Sequence, residues 1–186
     1  MKGRHFLATL VFTGWIMGCG TGKTPTVDRA TFDRHMQGRD FRIQIRTVEP
    51  LATQAMNQVG MSGLLLPGNT INRIDVGGQG YFLAVKGDSV QMNAPYYGER
   101  QMGGSYNPTE TGMRFHEVAQ DMDISQSRDG NWYEMRFSVR AEDGEALDVV
   151  ARIFPNLRST LGINSAERNF IRYEGDMERP EPAAKP

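Results

Sequence analysis

From Trp132 to Phe154 the chain alternates apolar and polar residues with a period of two, in two successive runs. Tyr133, Met135, Phe137 and Val139 share one face of the first run, and Leu147, Val149, Ala151 and Ile153 share one face of the second. Only an extended backbone puts residues i, i+2 and i+4 on the same side, so each run is a strand with one buried and one wet face. Asp143-Gly144 between them supplies the residue types that tolerate the positive φ of a tight turn. So short a link joins only antiparallel neighbours, since parallel strands need a long crossover.

The same grammar recurs along the chain. Phe41, Ile43 and Ile45 alternate with Arg42, Gln44 and Arg46, and Pro50 ends that strand. Ile71, Ile74 and Val76 follow a Pro67-Gly68-Asn69 turn as another. Tyr81 to Val85 and Ser89 to Met92 flank Lys86-Gly87-Asp88 as a hairpin. Met113 to Val118, then Met122 to Ser127, lead into an Arg128-Asp129-Gly130-Asn131 turn, and Phe170 to Tyr173 is the last strand. Residues 51–70 carry no decisive period. Val27 to Met36 suits one short helix, with Phe32 and Met36 four apart and Gly38 to stop it. The 21 glycines and 9 prolines fall between the apolar runs, where turns belong. The expected fold is all-β: an antiparallel β-sandwich or a lipocalin-like barrel of about eight strands, either of which hides its sheet edges. It would occupy residues 30–177 as a single domain, with residues 178–186 a disordered tail that has no apolar face.

The first residues carry a different message. Lys2 and Arg4 form a positive head, and Phe6 to Met17 is an uncharged, mostly apolar run too short to span a bilayer comfortably. It ends in Ile16-Met17-Gly18-Cys19, the pattern of a bacterial lipoprotein signal. Residues 1–18 would be removed, Cys19 would carry acyl chains, and residues 19–29 would tether the domain to the membrane. Gly20, rather than an aspartate, follows the cysteine, which points to the outer membrane with the domain on its periplasmic or surface face. Cys19 is the only cysteine, so no internal disulfide forms. Nearby, Gly22-Lys23-Thr24 imitates the end of a phosphate-binding loop. The glycine required five positions before Gly22 is Met17, and no strand precedes it, so nucleotide binding is not expected.

A net charge of −1 gives no basic field for nucleic acid. The richest cluster of chemical groups is Pro95-Tyr96-Tyr97-Gly98-Glu99-Arg100-Gln101, followed by a Gly- and Asn-rich loop containing Tyr106. Tyr96, Tyr97, Arg100, Gln101 and Tyr106 make a candidate patch for a small apolar or sugar ligand, or for another envelope protein. The alternative is a structural corner, with one tyrosine hydroxyl capping backbone and the arginine paired to a carboxylate. On a strand, adjacent tyrosines would point one inward and one into water. The run from Asp121 and Asp123 to Gln126 lacks the glycine and closing glutamate of a calcium loop, and with Asp129 and Asn131 in the next turn these read as solvated turn residues. His35 and His116 have no nearby partners for zinc. Gly60-Met61-Ser62-Gly63 misplaces the second glycine of a nucleophile elbow. No cofactor, metal or catalytic residue is expected, although carboxylates brought together by the fold would be the route to a hydrolase.

Three segments in this order resemble a known family. They are the Gly87-Asp88-Ser89-Val90 hairpin, Ala94-Pro95-Tyr96-Tyr97-Gly98-Glu99-Arg100, and the closing Arg168-Asn169-Phe170-Ile171-Arg172-Tyr173-Glu174-Gly175. They are similar to the DUF4251 family of envelope lipoproteins, found mainly in Bacteroidetes, over roughly residues 30–177. That family shows an LPYFGRA-type segment and an NRQPISYSG-type strand. Ala94 stands here for Leu, Tyr97 for Phe, Glu99 for a basic residue and Phe170 for Pro. The resemblance implies an exported all-β domain and no particular reaction.

Overall fold

The computed structural model describes residues 28–63, 65–102 and 112–178. Cys19, Tyr106 and most of the C-terminal tail lie outside them. Helix α1 (Arg29–Gly38) leads into β1 (Asp40–Pro50), α2 (Gln54–Met61) and the two-residue β2 (Ile74–Asp75). There follow β3 (Phe82–Lys86), β4 (Ser89–Pro95), β5 (Gly112–Val118), β6 (Gln120–Gln126) and β7 (Tyr133–Arg140). The chain closes with β8 (Ala146–Ile153), β9 (Arg158–Ser165) and β10 (Ile171–Met177).

All pairings are antiparallel, in the order β5-β4-β3-β1-β10-β9-β8-β7-β6, with β2 added beside the second half of β1. The two ends of this path, β5 and β6, are consecutive in sequence and joined through Ala119 alone. One long bent strand therefore spans from the β4 edge to the β7 edge. The bend sits where Asp121 takes a φ of 52° and the register with β7 shifts between Gln120 and Asp123. The result is a nearly closed barrel-like sheet, which settles the choice between barrel and sandwich. Across the remaining gap the Glu142 amide donates to the Arg114 carbonyl at 3.0 Å, and Phe115 meets Phe137 edge-to-face at 6.2 Å.

The alternation does what a period of two predicts. Ile43, Leu83, Met92, Phe115, Met135, Leu147, Leu161 and Tyr173 turn inward and are essentially unexposed. Helix α1 closes one end of the barrel with Phe32 and Met36, both fully buried, and Phe32 packs edge-to-face on Tyr133 at 5.7 Å. Each such side chain contributes about 1.5–3 kcal/mol. Asp28 caps the helix by accepting from the Thr31 amide at 3.3 Å. Gly38 does not stop it; the left-handed residue is Arg39, with φ 49°.

Three elements differ from the sequence reading, the first being α2, a helix within the stretch that carries no decisive period. Only Ile74–Asp75 of the Ile71–Val76 run is strand. Strand β9 is not legible in the sequence, because Ser159, Thr160, Gly162 and Asn164 give it the composition of a loop. Its inward Leu161 and Ile163 are nevertheless buried, and Gly162 leaves room for the Phe170 ring, which would lie 3.0 Å from an added Cβ. At the end of the barrel opposite α1, strands β4, β7 and β9 finish and β5, β8 and β10 begin. This end is the mouth.

Candidate functional site

Pro95 ends β4, and the chain then crosses the mouth instead of continuing as a sheet strand. Residues 99–102 run antiparallel to 167–169: Arg100 bridges Arg168, the Gln101 amide donates to the Glu167 carbonyl at 2.7 Å, and the Asn169 amide to the Glu99 carbonyl at 3.1 Å. Tyr96 locks this corner. Its hydroxyl lies 3.0 Å from the Glu99 carbonyl and 3.1 Å from the Asn169 carbonyl. A Cβ on Gly98 would land on the Tyr96 ring and hydroxyl, so this bend needs glycine. Tyr173, from the barrel interior, donates to the Pro95 carbonyl at 3.0 Å.

Four charged side chains interlock beneath that corner. Arg168 and Glu145 are almost completely buried, while Arg100 and Asp143 are each about a quarter exposed. Nη2 of Arg100 reaches Asp143 Oδ2 at 2.6 Å and Glu145 Oε2 at 3.0 Å. Nη2 of Arg168 reaches the same Asp143 oxygen at 2.6 Å, and its Nη1 donates to the Gly112 carbonyl at 3.2 Å. Arg168 Nε lies 2.7 Å from Glu145 Oε2, a close ionic contact in which the N–H is not aligned as a hydrogen bond. Ser165 donates its hydroxyl to the other Glu145 oxygen. The Arg168 guanidinium also stands 5.2 Å over the Tyr96 ring.

These contacts set the proton affinities. Burial alone would raise Asp143, but the hydrogen bonds from Arg100 and the Glu145 amide, with both arginine charges, hold it below the usual carboxylate value. Burial works to lower Arg100, and its hydrogen bonds to Asp143 and Glu145 win, so it rises. Desolvation pushes the Tyr96 phenol up to about 12, against the pull of Arg168. Burial drives Tyr173 far above the ordinary phenol range. An Asp143 held ionised and bound to two guanidiniums is a clamp, not a proton donor.

The candidate patch is thus partly brought together. Arg100 enters the ion cluster, and Tyr96 caps backbone as in the corner reading. Gln101 is exposed and donates its amide to the Asn169 side chain. Tyr97 is half-buried, like Tyr96; the expected split between one inward and one wet tyrosine fails because the strand ends at Pro95. Sequence reasoning missed Asp143, Glu145, Ser165 and Arg168 as site residues. Asp143 read as a turn residue, and nothing in a turn-flanking glutamate announces that it is buried.

Elsewhere, Asp129 accepts from the Ser127 hydroxyl at 2.7 Å and the Asn131 side-chain amide at 2.6 Å, which makes it a turn anchor. Ser62 closes helix α2, its hydroxyl donating to the Val59 carbonyl at 2.7 Å. Ser62 therefore does not sit on the strand-to-helix turn of a nucleophile elbow.

Residues 26–177, more than half of the chain and all of the barrel, match the family model described as Domain of unknown function (DUF4251). The chain belongs to the DUF4251 family. No curated relative and no solved structure matches it. Two of the segments that carried the resemblance, 94–100 and 168–175, meet at the mouth of this DUF4251 barrel. They do so through the Arg100–Arg168 bridge and the Tyr96 cap on Asn169.

Proposed function

We propose that this DUF4251 chain is a membrane-tethered module of the bacterial envelope, anchored by acyl chains on Cys19, that acts by contact and not by catalysis. The observation that carries the contact reading is the packed interior. Ile43, Leu83, Met92, Phe115, Leu161 and Tyr173 fill the space that a ligand carrier would keep open. Recognition then falls to outer surfaces, foremost the mouth. There Glu99, Gln101 and Met102 are exposed on a rim made rigid by the ion cluster beneath it. The favoured occupant is another envelope protein. The anchor follows from the charged head, short apolar run and Gly18-Cys19 junction of the sequence, and several acyl chains would hold where one is marginal.

Expressed in a Gram-negative host, the wild type should partition into the detergent phase and incorporate labelled palmitate. Cys19→Ala should move to the aqueous phase without label. A Cys19→Ala chain that stays in the detergent phase contradicts the anchor.

A further inference from the structure

At the opposite end of the barrel from the mouth, the β6–β7 hairpin holds an open cleft of about 470 Å³ on its outer side. Among the described residues Trp132 is the only aromatic side chain lining it; Ser125, Gln126, Arg128, Asp129 and Glu134 are among the polar remainder. The indole is held in place. The Arg152 guanidinium lies over one face of its ring, 4.9 Å from the centroid, the Trp132 amide donates to Ser127 Oγ at 3.2 Å, and Ser127 donates its amide back to the Trp132 carbonyl at 2.9 Å. The polar groups are ordered too. Glu134 is fixed by Arg136 Nε at 2.6 Å and Arg152 Nε at 3.0 Å, and Asp129 by Ser127 and Asn131.

We propose that this cleft is a saccharide-binding subsite, in which a pyranose ring packs its C–H face on Trp132 and its hydroxyls pair with Gln126, Asp129 and Glu134. A sugar ring is apolar on its face and hydrogen-bonding around its edge, and it needs a flat aromatic beside fixed planar polar groups. A carboxylate has about four acceptor sites. Protein donors take three on Asp129, counting the Asn131 backbone amide at 3.3 Å, and three on Glu134, from Arg136 Nε and Nη2 and from Arg152 Nε, so each carboxylate keeps capacity for a hydroxyl donor. Both acids stay ionised acceptors. Hydrogen bonds from Ser127 and Asn131 lower Asp129, and the two arginines outweigh burial to lower Glu134. A phosphate or nucleotide fits less well, because Arg136 and Arg152 are engaged by Glu134, which leaves Arg128 as the cation on the described lining, with Asp129 beside it. A lipid chain fits less well still, with one apolar side chain to meet it.

The site rests on no part of the reading of Cys19 or the mouth. Its test is a titration of the full chain in detergent micelles with chitotetraose, cellotetraose and maltotetraose, followed by calorimetry and by indole emission. The expected result is saturable binding of at least one oligosaccharide in the micromolar-to-millimolar range, with a change in emission. Trp132→Ala should weaken it at least about tenfold, and Asp129→Asn should weaken it while leaving the melting temperature nearly unchanged. Absence of saturable binding by all three at millimolar concentration overturns the assignment. So does binding that survives in a folded Trp132→Ala chain at wild-type affinity.

Discussion

Replacing Arg168 by methionine tests how the mouth is held. The side chain is 4% exposed and touches Asp143 at 2.6 Å and Glu145 at 2.7 Å, and it donates to the Gly112 carbonyl. Methionine fills much of the volume and removes the charge. Glu145, whose side chain is 1% exposed, is then left with Arg100 as its one cation among the described residues, and the Gly112 carbonyl loses the Arg168 donor. Breaking one partner of a buried pair costs about 3–5 kcal/mol, because the surviving charge is stranded without water. In a domain of this size that lowers the melting temperature by roughly 6–20 °C. Urea unfolding should show a lower midpoint with an unchanged slope. The double change Arg168→Met with Glu145→Gln should cost less than the sum of the singles, by about 0.5–3 kcal/mol, since glutamine keeps the acceptor for Ser165 without a stranded charge. A loss under about 1 kcal/mol for Arg168→Met, or strict additivity, would refute the clamp and mean that water already screens the cluster.

Other outcomes follow from the same contacts. Asp143 titrates below its ordinary value of 3.8 in the folded state, so its stabilisation is fully present above about that pH and is lost as pH falls further. Asp143→Asn should flatten that acid limb in urea melts at stepped pH. Tyr96 has the opposite sign: a phenol raised to about 12 keeps its stabilisation below pH ~10 and loses it as pH climbs toward 12. Tyr96→Phe should remove part of the alkaline loss and cost about 1 kcal/mol at neutral pH, read by the same melts. At Gly175 an added Cβ would fall on the Gln44 carbonyl oxygen. Gly175→Ala should therefore cost at least ~2 kcal/mol by urea midpoint, with hydrogen exchange accelerating first in the β1–β10 ladder. Asp28→Ala should cost about 1 kcal/mol by frayed capping of α1.

The barrel was legible where side chains alternate across a half-wet sheet. Ile43 and Ile45, Met135 and Phe137, and Val149 and Ala151 told which face is inside, and the hairpin turns told that neighbours are antiparallel. Closure was not legible, because it depends on one bend near Asp121 that carries the chain from the β4 edge to the β7 edge. A positive φ at an aspartate leaves no periodic trace. Strand β9 was hidden because Gly162 and Asn164 on its outward face are weak strand formers, and Gly162 sits where the Phe170 ring crosses. At the mouth, Tyr96 and Arg100 stood out because aromatic and guanidinium groups cluster in sequence there. Their partners Asp143, Glu145 and Arg168 lie some 40 to 70 residues away, and only the fold reveals that Glu145 and Arg168 are buried together.

The proposed membrane tether runs through Cys19, and intact mass spectrometry of the protein purified from bacterial envelopes tests it most directly. A chain beginning at Cys19, heavier than its amino acids by the mass of its acyl groups, is the predicted species. A mass equal to an unmodified chain, whether cut elsewhere or left uncut, would contradict the tether.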